Sequence, residues 1–344
     1  MLKHHPSIPL TVVQSRILKI LVSLALTVGL VWLLLRQVHP GEVAHRIAGA
    51  SPAWLCASAA LAIGTYILRS WRWVWILRPA GRVGFGQAFY ATAVGFAGNF
   101  LPARAGEIIR PALLSRDTGL PFSTLLASIL FERLLDAASV FFFLGLAILD
   151  PPWTRGPGSS AVPVAIGALP LIGLAGIVTF SWIAIFHRGL LENLTSRLAR
   201  LLPERWRGPV LKVSSAFLDG FGLVRKLTAW QWLLVGGGSL LMWLAVNLQI
   251  ACVVKAFGID LPLSASYVLT FAAVIGLAVP TPGGIGSYHA AVAGALGRFH
   301  VQRDIALGVA TVSHAVSFIP ISLIGLGWML AGALRRTVPE PEPR

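Results

Sequence analysis

The sequence predicts an all-α polytopic membrane protein, with about six full transmembrane helices and two re-entrant hairpins in an inverted repeat. Three observations carry this expectation. Apolar residues make up 56% of the 344 and charged residues only 12%, with a mean hydropathy of +0.77, far from the roughly 25% charged content of a soluble domain. Eight hydrophobic segments, at 17–35, 53–77, 84–101, 124–149, 161–186, 230–256, 262–280 and 304–333, approach the length that a hydrocarbon core of about 30 Å asks of a helix. Two of these segments end in proline and glycine clusters, and broken backbone at membrane depth survives only where protein or a wet cavity surrounds it.

The first segment follows the basic residues Arg16 and Lys19 as a signal peptide does. It continues into Arg36, Gln37 and Val38 instead of a small-residue cleavage site, which predicts an uncleaved anchor. Arg69, Arg72, Arg78 and Arg82 are expected in a cytoplasmic loop, with Trp71, Trp73 and Trp75 in an interfacial aromatic belt together with Trp230 and Trp232. The connection at 187–229 holds eight basic and three acidic residues and also belongs inside, as do both termini, the C-terminal one through Arg335 and Arg336.

Eight simple crossings conflict with that charge pattern. The conflict disappears when residues 84 to about 118 enter and leave from the cytoplasmic side, and residues 262 to about 300 from the outside. Their tips, Pro102-Ala-Arg104-Ala-Gly106 and Pro282-Gly-Gly-Ile-Gly286, share a P-x-x-x-G spacing offset by 180 residues. Kinks in ordinary spans are the alternative use of such prolines and glycines.

One transmembrane domain is thus expected over 1–335, with inverted halves at about 10–150 and 160–335. The elbow at 188–227 carries leucines at helical spacing and suits an amphipathic interfacial helix. An exterior loop at 151–160 and a disordered tail at 336–344 complete the chain.

The net charge of +15 raises nucleic acid as a partner, but the arginines cluster beside segment ends, where they serve orientation and headgroup contact. Cys56 and Cys252 lie in apolar segments without Cys or His at metal-ligand spacing, so neither a disulfide nor a metal site is expected.

Charged residues inside apolar segments mark the candidate site, since each costs about 2.5–3.5 kcal/mol at the bilayer centre on the mildest scales. Arg104, Glu107 and Arg110 fall at the first tip, and Glu132, Arg133 and Asp136 in the segment 124–149. Guanidinium forks match phosphate oxygens, and a helix restarting after a tip adds N–H donors, which together suggest a phosphate-bearing substrate. Glu132 and Asp136 either pair with Arg104 and Arg110 across the cavity, relay a proton or receive an amine on the headgroup, or else form a structural ion network. Gly283 and Gly284 serve either the anion or close helix packing. Tyr288, His289 and His314 either hydrogen-bond into the cavity or pack between helices, and Asn99, Asn247 and Gln249 are further donors. Ser287 and His289 point to different helix faces, with no G-x-S-x-G elbow or H-E-x-x-H pattern to support hydrolysis. No G-x-x-x-x-G-K-[ST] loop supports ATP use, and no cofactor is expected.

NFLPARAGEIIRPALL followed by ERLLD, and VPTPGGIGSYHAA followed by a late His, resemble the transmembrane region of the lysylphosphatidylglycerol synthases over nearly the whole chain. In that family the region belongs to the multiple peptide resistance factors and is assigned the flipping of an aminoacylated lipid between leaflets. The chain ends at Arg344 without the aminoacyl-transferase domain, so the resemblance implies a flippase-like protein of a bacterial inner membrane and not a synthase. The implied partners are a membrane lipid with an anionic or phosphate-bearing headgroup and lipid-biosynthesis enzymes. The alternatives are a membrane-embedded transferase or its accessory subunit, and a transporter of a small soluble anion.

Overall fold

The computed structural model describes residues 39–99, 105–148 and 164–337, with isolated positions between 25 and 32. The expected anchor at 17–35 apart from those positions, the loop at 151–160, most of the tail, and Pro102 and Arg104 of the first tip lie outside the described residues. Within them the chain is all-helical, in the order α1 (Pro40–Ala48), α2 (Pro52–Leu77), α3 (Phe85–Gly98), α4 (Gly106–Thr118), α5 (Phe122–Ile148), α6 (Val164–Phe186), α7 (Arg188–Arg200), α8 (Glu204–Val224), α9 (Ala229–Ala256), α10 (Leu263–Ala278), α11 (Ser287–Gly297) and α12 (Arg303–Thr337), with a 3₁₀ turn at Pro282–Gly284.

Among the described residues, α2, α9 and the Arg303–Ala331 stretch of α12 are long and apolar enough to cross a bilayer. A fourth crossing results if α6 and α7 are joined, although Pro170–Phe186 and α7 meet at 103°. That bend turns α7 aside and leaves Leu190, Leu194 and Leu198 exposed along one stripe, as an interfacial helix requires. α8 behaves differently, burying Leu218, Phe221 and Val224 in a cluster with Phe131 of α5. The elbow therefore divides into an outlying helix and a core one.

α3 and α4 form a hairpin. Gln87 near the start of α3 donates to the carbonyl of Asp117 near the end of α4, at 3.3 Å, while Gly98 and Gly106 meet at the other end. The arms close so tightly that a Cβ on Gly106 would run into the carbonyl of Gly95. With 14 and 13 residues at about 1.5 Å each, they reach about 20 Å, short of a core of about 30 Å. α10 and α11 repeat the design with 16 and 11 residues, and a Cβ on Gly276 would lie 2.7 Å from the Ser287 carbonyl. Their turn holds Gly283, Gly284 and Gly286 at φ of 60°, 75° and 86°, where a side chain is disfavoured.

The packing pairs the halves. α2 lies against α9, α3 against α12 and α10 against α5, while α1 packs on α12 and α8 on α5. Matching α1–α5 with α8–α12 maps each of these contacts onto its counterpart. The tips meet between them, with the Gly283 N–H donating to the Asn99 carbonyl at 3.3 Å.

Two expectations are corrected. Arg69 and Arg72 do not belong to a loop, because α2 continues to Leu77 and buries both; this loop keeps Arg78 and Arg82 as its basic residues. Trp73 does not sit in an aromatic belt either, since it is fully buried and donates through Nε1 to Ser128 at 2.8 Å. Arginines in the last turns of an apolar segment stay inside when carboxylates on a neighbouring helix receive them.

Candidate functional site

One face of α5 organises the site. Ser128, Glu132 and Asp136 recur every four residues and so project from one side of the helix, towards α2, α4 and α9. Glu132 is fully buried between Arg110 of α4, at 2.7 Å, and Arg72 of α2, at 3.4 Å. Asp136 takes Arg69 at 2.9 Å, Arg72 at 2.8 Å and Arg133 at 3.6 Å, and accepts from Trp243 Nε1 of α9 at 3.1 Å. Arg72 also donates to Ser239 at 2.9 Å. Each carboxylate is therefore shared by at least two guanidinium groups, which is how buried charge is tolerated.

Arg110, like Arg69, Arg133 and Asp136 of this network, borders open space. Its side chain is 4% exposed, Nη1 is bound to Glu132, and its guanidinium carbon lies 3.8 Å from the centroid of the Trp73 ring, a cation–π arrangement. Its Nε and Nη2 are buried without a hydrogen-bond partner among the described residues, as are Nε of Arg133 and Oδ1 of Asn99. A cavity of about 140 Å³ is lined by Asn99, Glu107, Arg110, Arg133, Gly283 and Gly284 among others. The cavity thus sits where the two tips meet. α4 begins beside it at Gly106, bringing N–H groups and the positive end of a helix dipole.

A second cavity of about 340 Å³ adjoins the first, sharing Phe96, Glu107, Arg133, Leu277 and Phe318 with it. It extends along Tyr66, Arg69, Asp136, Trp243, Gln249 and Thr270.

The candidates read from the sequence separate here into groups. Glu107, Arg110, Arg133, Gly283 and Gly284 line the first cavity, and Asp136 and Tyr288 the second. Glu132 lies behind Arg110 and touches neither. His314 supports the second tip, its Nε2 donating to the Gly283 carbonyl at 2.9 Å, and the His289 ring packs against it at a tilt of 59° with centroids 5.0 Å apart while its Nδ1 accepts from the Gly286 N–H at 3.4 Å. The Tyr288 hydroxyl is paired with Ser313 at 2.9 Å. Arg104 is outside the described residues.

Sequence reasoning missed Arg69, Arg72, Trp73 and Trp243. A usable signal was present: two carboxylates in one apolar segment need cationic partners on neighbouring helices, and Arg69, Arg72 and Trp73 fall on one helix face at i, i+3 and i+4.

The family model for the lysylphosphatidylglycerol synthase TM region matches residues 18–325. Among curated relatives, glycosyltransferase AglD of Haloferax volcanii is 26% identical over 343 residues, covering 92% of this chain and 55% of that protein, so the chain spans about half of that relative's length. A UPF0104 membrane protein of Methanothermobacter thermautotrophicus is 26% identical over 307 residues, covering 88% of this chain and 90% of the relative. With these matches and its apolar helices, the chain is a multi-pass membrane protein that belongs to the lysylphosphatidylglycerol synthase transmembrane-region family.

Proposed function

We propose that the protein is a lipid translocase, moving a phosphate-bearing lipid between the leaflets of a bacterial inner membrane, with both termini in the cytoplasm. The observation that carries this reading is Arg110, a buried guanidinium with two unpartnered nitrogens at the junction of two opposed hairpins. A phosphate placed there accepts from Nε and Nη2, which are presented as a fork. Four arginines face the two network carboxylates, so an anion is drawn to the site.

The paired packing of the halves supports six crossings with α3–α4 and α10–α11 as re-entrant hairpins, the arrangement in which two inverted units rock about a central site. The Gly283–Asn99 contact then closes one route, and its separation opens it. No catalytic step is assigned to these residues, and the protein acts as a carrier rather than an enzyme. The test is mass spectrometry of lipids co-purified with the wild type and with Arg110→Gln. We expect a phosphate-bearing lipid enriched over the bulk extract in the wild type and lost in the variant; bulk composition in both contradicts the assignment.

Glycosyl transfer to or from a lipid-linked sugar is the second candidate, favoured by the name of the Haloferax relative. Sugar transfer by the purified chain alone, abolished by Arg110→Gln, would establish it in place of translocation.

A further inference from the structure

We infer that the headgroup carried by this site is a phosphate ester of a neutral polyol, such as a hexosyl phosphate, and not an amine-bearing phosphate; this rests on the phosphate reading of Arg110.

Charge offers an amine a single open partner. An ammonium group needs a carboxylate with capacity to spare, yet Glu132 is held by Arg72 and Arg110, and Asp136 by Arg69, Arg72, Arg133 and the Trp243 indole. Glu107 is the carboxylate that lines both cavities and has no ion pair among the described residues. Four arginines against these three carboxylates leave an excess of positive charge that one phosphate neutralises, so Glu107 alone is left to receive an ammonium, whereas a neutral polyol needs no such partner.

The second cavity carries the positive half of the inference. Its volume of about 340 Å³ lies within the range of about 300–1,000 Å³ typical of small-molecule sites. Gln249 is 3% exposed and spends Oε1 on the Ser317 hydroxyl at 3.2 Å, leaving Nε2 buried without a partner among the described residues. Turning the amide over moves the deficit to its oxygen, so one polar atom is unmatched in either orientation. Thr270, 2% exposed, is likewise buried with Oγ1 unpartnered among the described residues. A buried polar group left in this state costs about 1–3 kcal/mol, and a ligand hydroxyl, which both donates and accepts, satisfies either group. Phe96, Trp243 and Phe318 supply apolar walls for the C–H faces of such a ring. Because the two cavities adjoin at Arg133 and Glu107, a phosphate at Arg110 places its ester substituent towards Gln249 and Thr270.

The test is calorimetric titration of the purified full chain with inorganic phosphate, phosphoethanolamine and glucose 1-phosphate. The expected result is glucose 1-phosphate binding about tenfold or more tightly than the other two, an advantage of one or two added hydrogen bonds. It falls to parity with inorganic phosphate in the near-isosteric Gln249→Leu/Thr270→Val double variant, while Arg110→Gln weakens all three. Parity in the wild type, preference for phosphoethanolamine, or an advantage that survives the double variant overturns the polyol inference. In each of those cases, sensitivity of inorganic phosphate to Arg110→Gln leaves the underlying phosphate reading standing. Binding indifferent to Arg110→Gln overturns both. The same hexosyl phosphate on an isoprenoid chain separates lipid from soluble sources. Tighter binding than the free ester supports the lipid. Equal binding with uptake of free ester into proteoliposomes supports the polyol chemistry and overturns the lipid source.

Discussion

The backbone N–H of Gly283 meets the carbonyl of Asn99 at 3.3 Å, joining the tips of two hairpins that belong to opposite halves of the chain. His314 holds the same glycine from behind through its carbonyl at 2.9 Å. The second tip is therefore clamped between α12 and the first tip, and the first cavity lies against this clamp.

Gly284 is the residue through which that clamp is most easily broken. At φ of 75°, any Cβ is strained and runs into Leu277. We predict that Gly284→Ala lowers unfolding stability by about 1–3 kcal/mol and abolishes lipid movement, measured by denaturation in detergent and by transport in vesicles. Unchanged stability and transport would show that the tip adapts freely.

Glu132 and Arg133 adjoin in sequence but differ in burial, fully enclosed against 41% exposed for their side chains. Glu132→Gln leaves Arg110 uncompensated, while Arg72 keeps Asp136, and we predict a loss of about 3–5 kcal/mol. Arg133→Gln should cost within about 1 kcal/mol. Chemical denaturation of both variants checks the contrast, and equal losses contradict the network as described.

The re-entrant arrangement makes a topological prediction. With Cys56 and Cys252 replaced by serine, single cysteines at the exposed positions Arg82 and Asp117 should label from one side of the membrane. Cysteines at the exposed positions Asp260 and Arg298 should label from the other. Arg82 and Asp117 on opposite sides would give α3 and α4 a single crossing between them and would contradict the hairpin.

α7 should lie in the interface. A fluorophore at Leu194 or Leu198 is expected to be quenched by lipid-phase nitroxides more strongly than one at Glu192, which lies about 200° around the helix from Leu194. Equal quenching at all three positions would place α7 in water or in protein.

Much of this was legible in the sequence because bilayers penalise charge and broken backbone so heavily. Glu132 and Asp136 stood out against an apolar run, and the Pro102 and Pro282 clusters located both hairpins. Arg69 and Arg72 were obscured by position, since arginines near a segment end ordinarily reach headgroups. Their burial became visible only with α5 and α9 packed beside them. Cavity walls such as Gln249 and Thr270 were hidden for a simpler reason: uncharged polar residues in a membrane helix usually satisfy themselves within it or across to a neighbour.

The most direct measurement is transbilayer movement of a hexosyl-phosphate isoprenoid lipid in proteoliposomes, followed by enzymatic access to the headgroup from outside. Movement with the wild type, absent from protein-free vesicles and lost in Arg110→Gln, is the predicted result. Wild-type vesicles no faster than empty ones, or an Arg110→Gln variant as fast as the wild type, would contradict it.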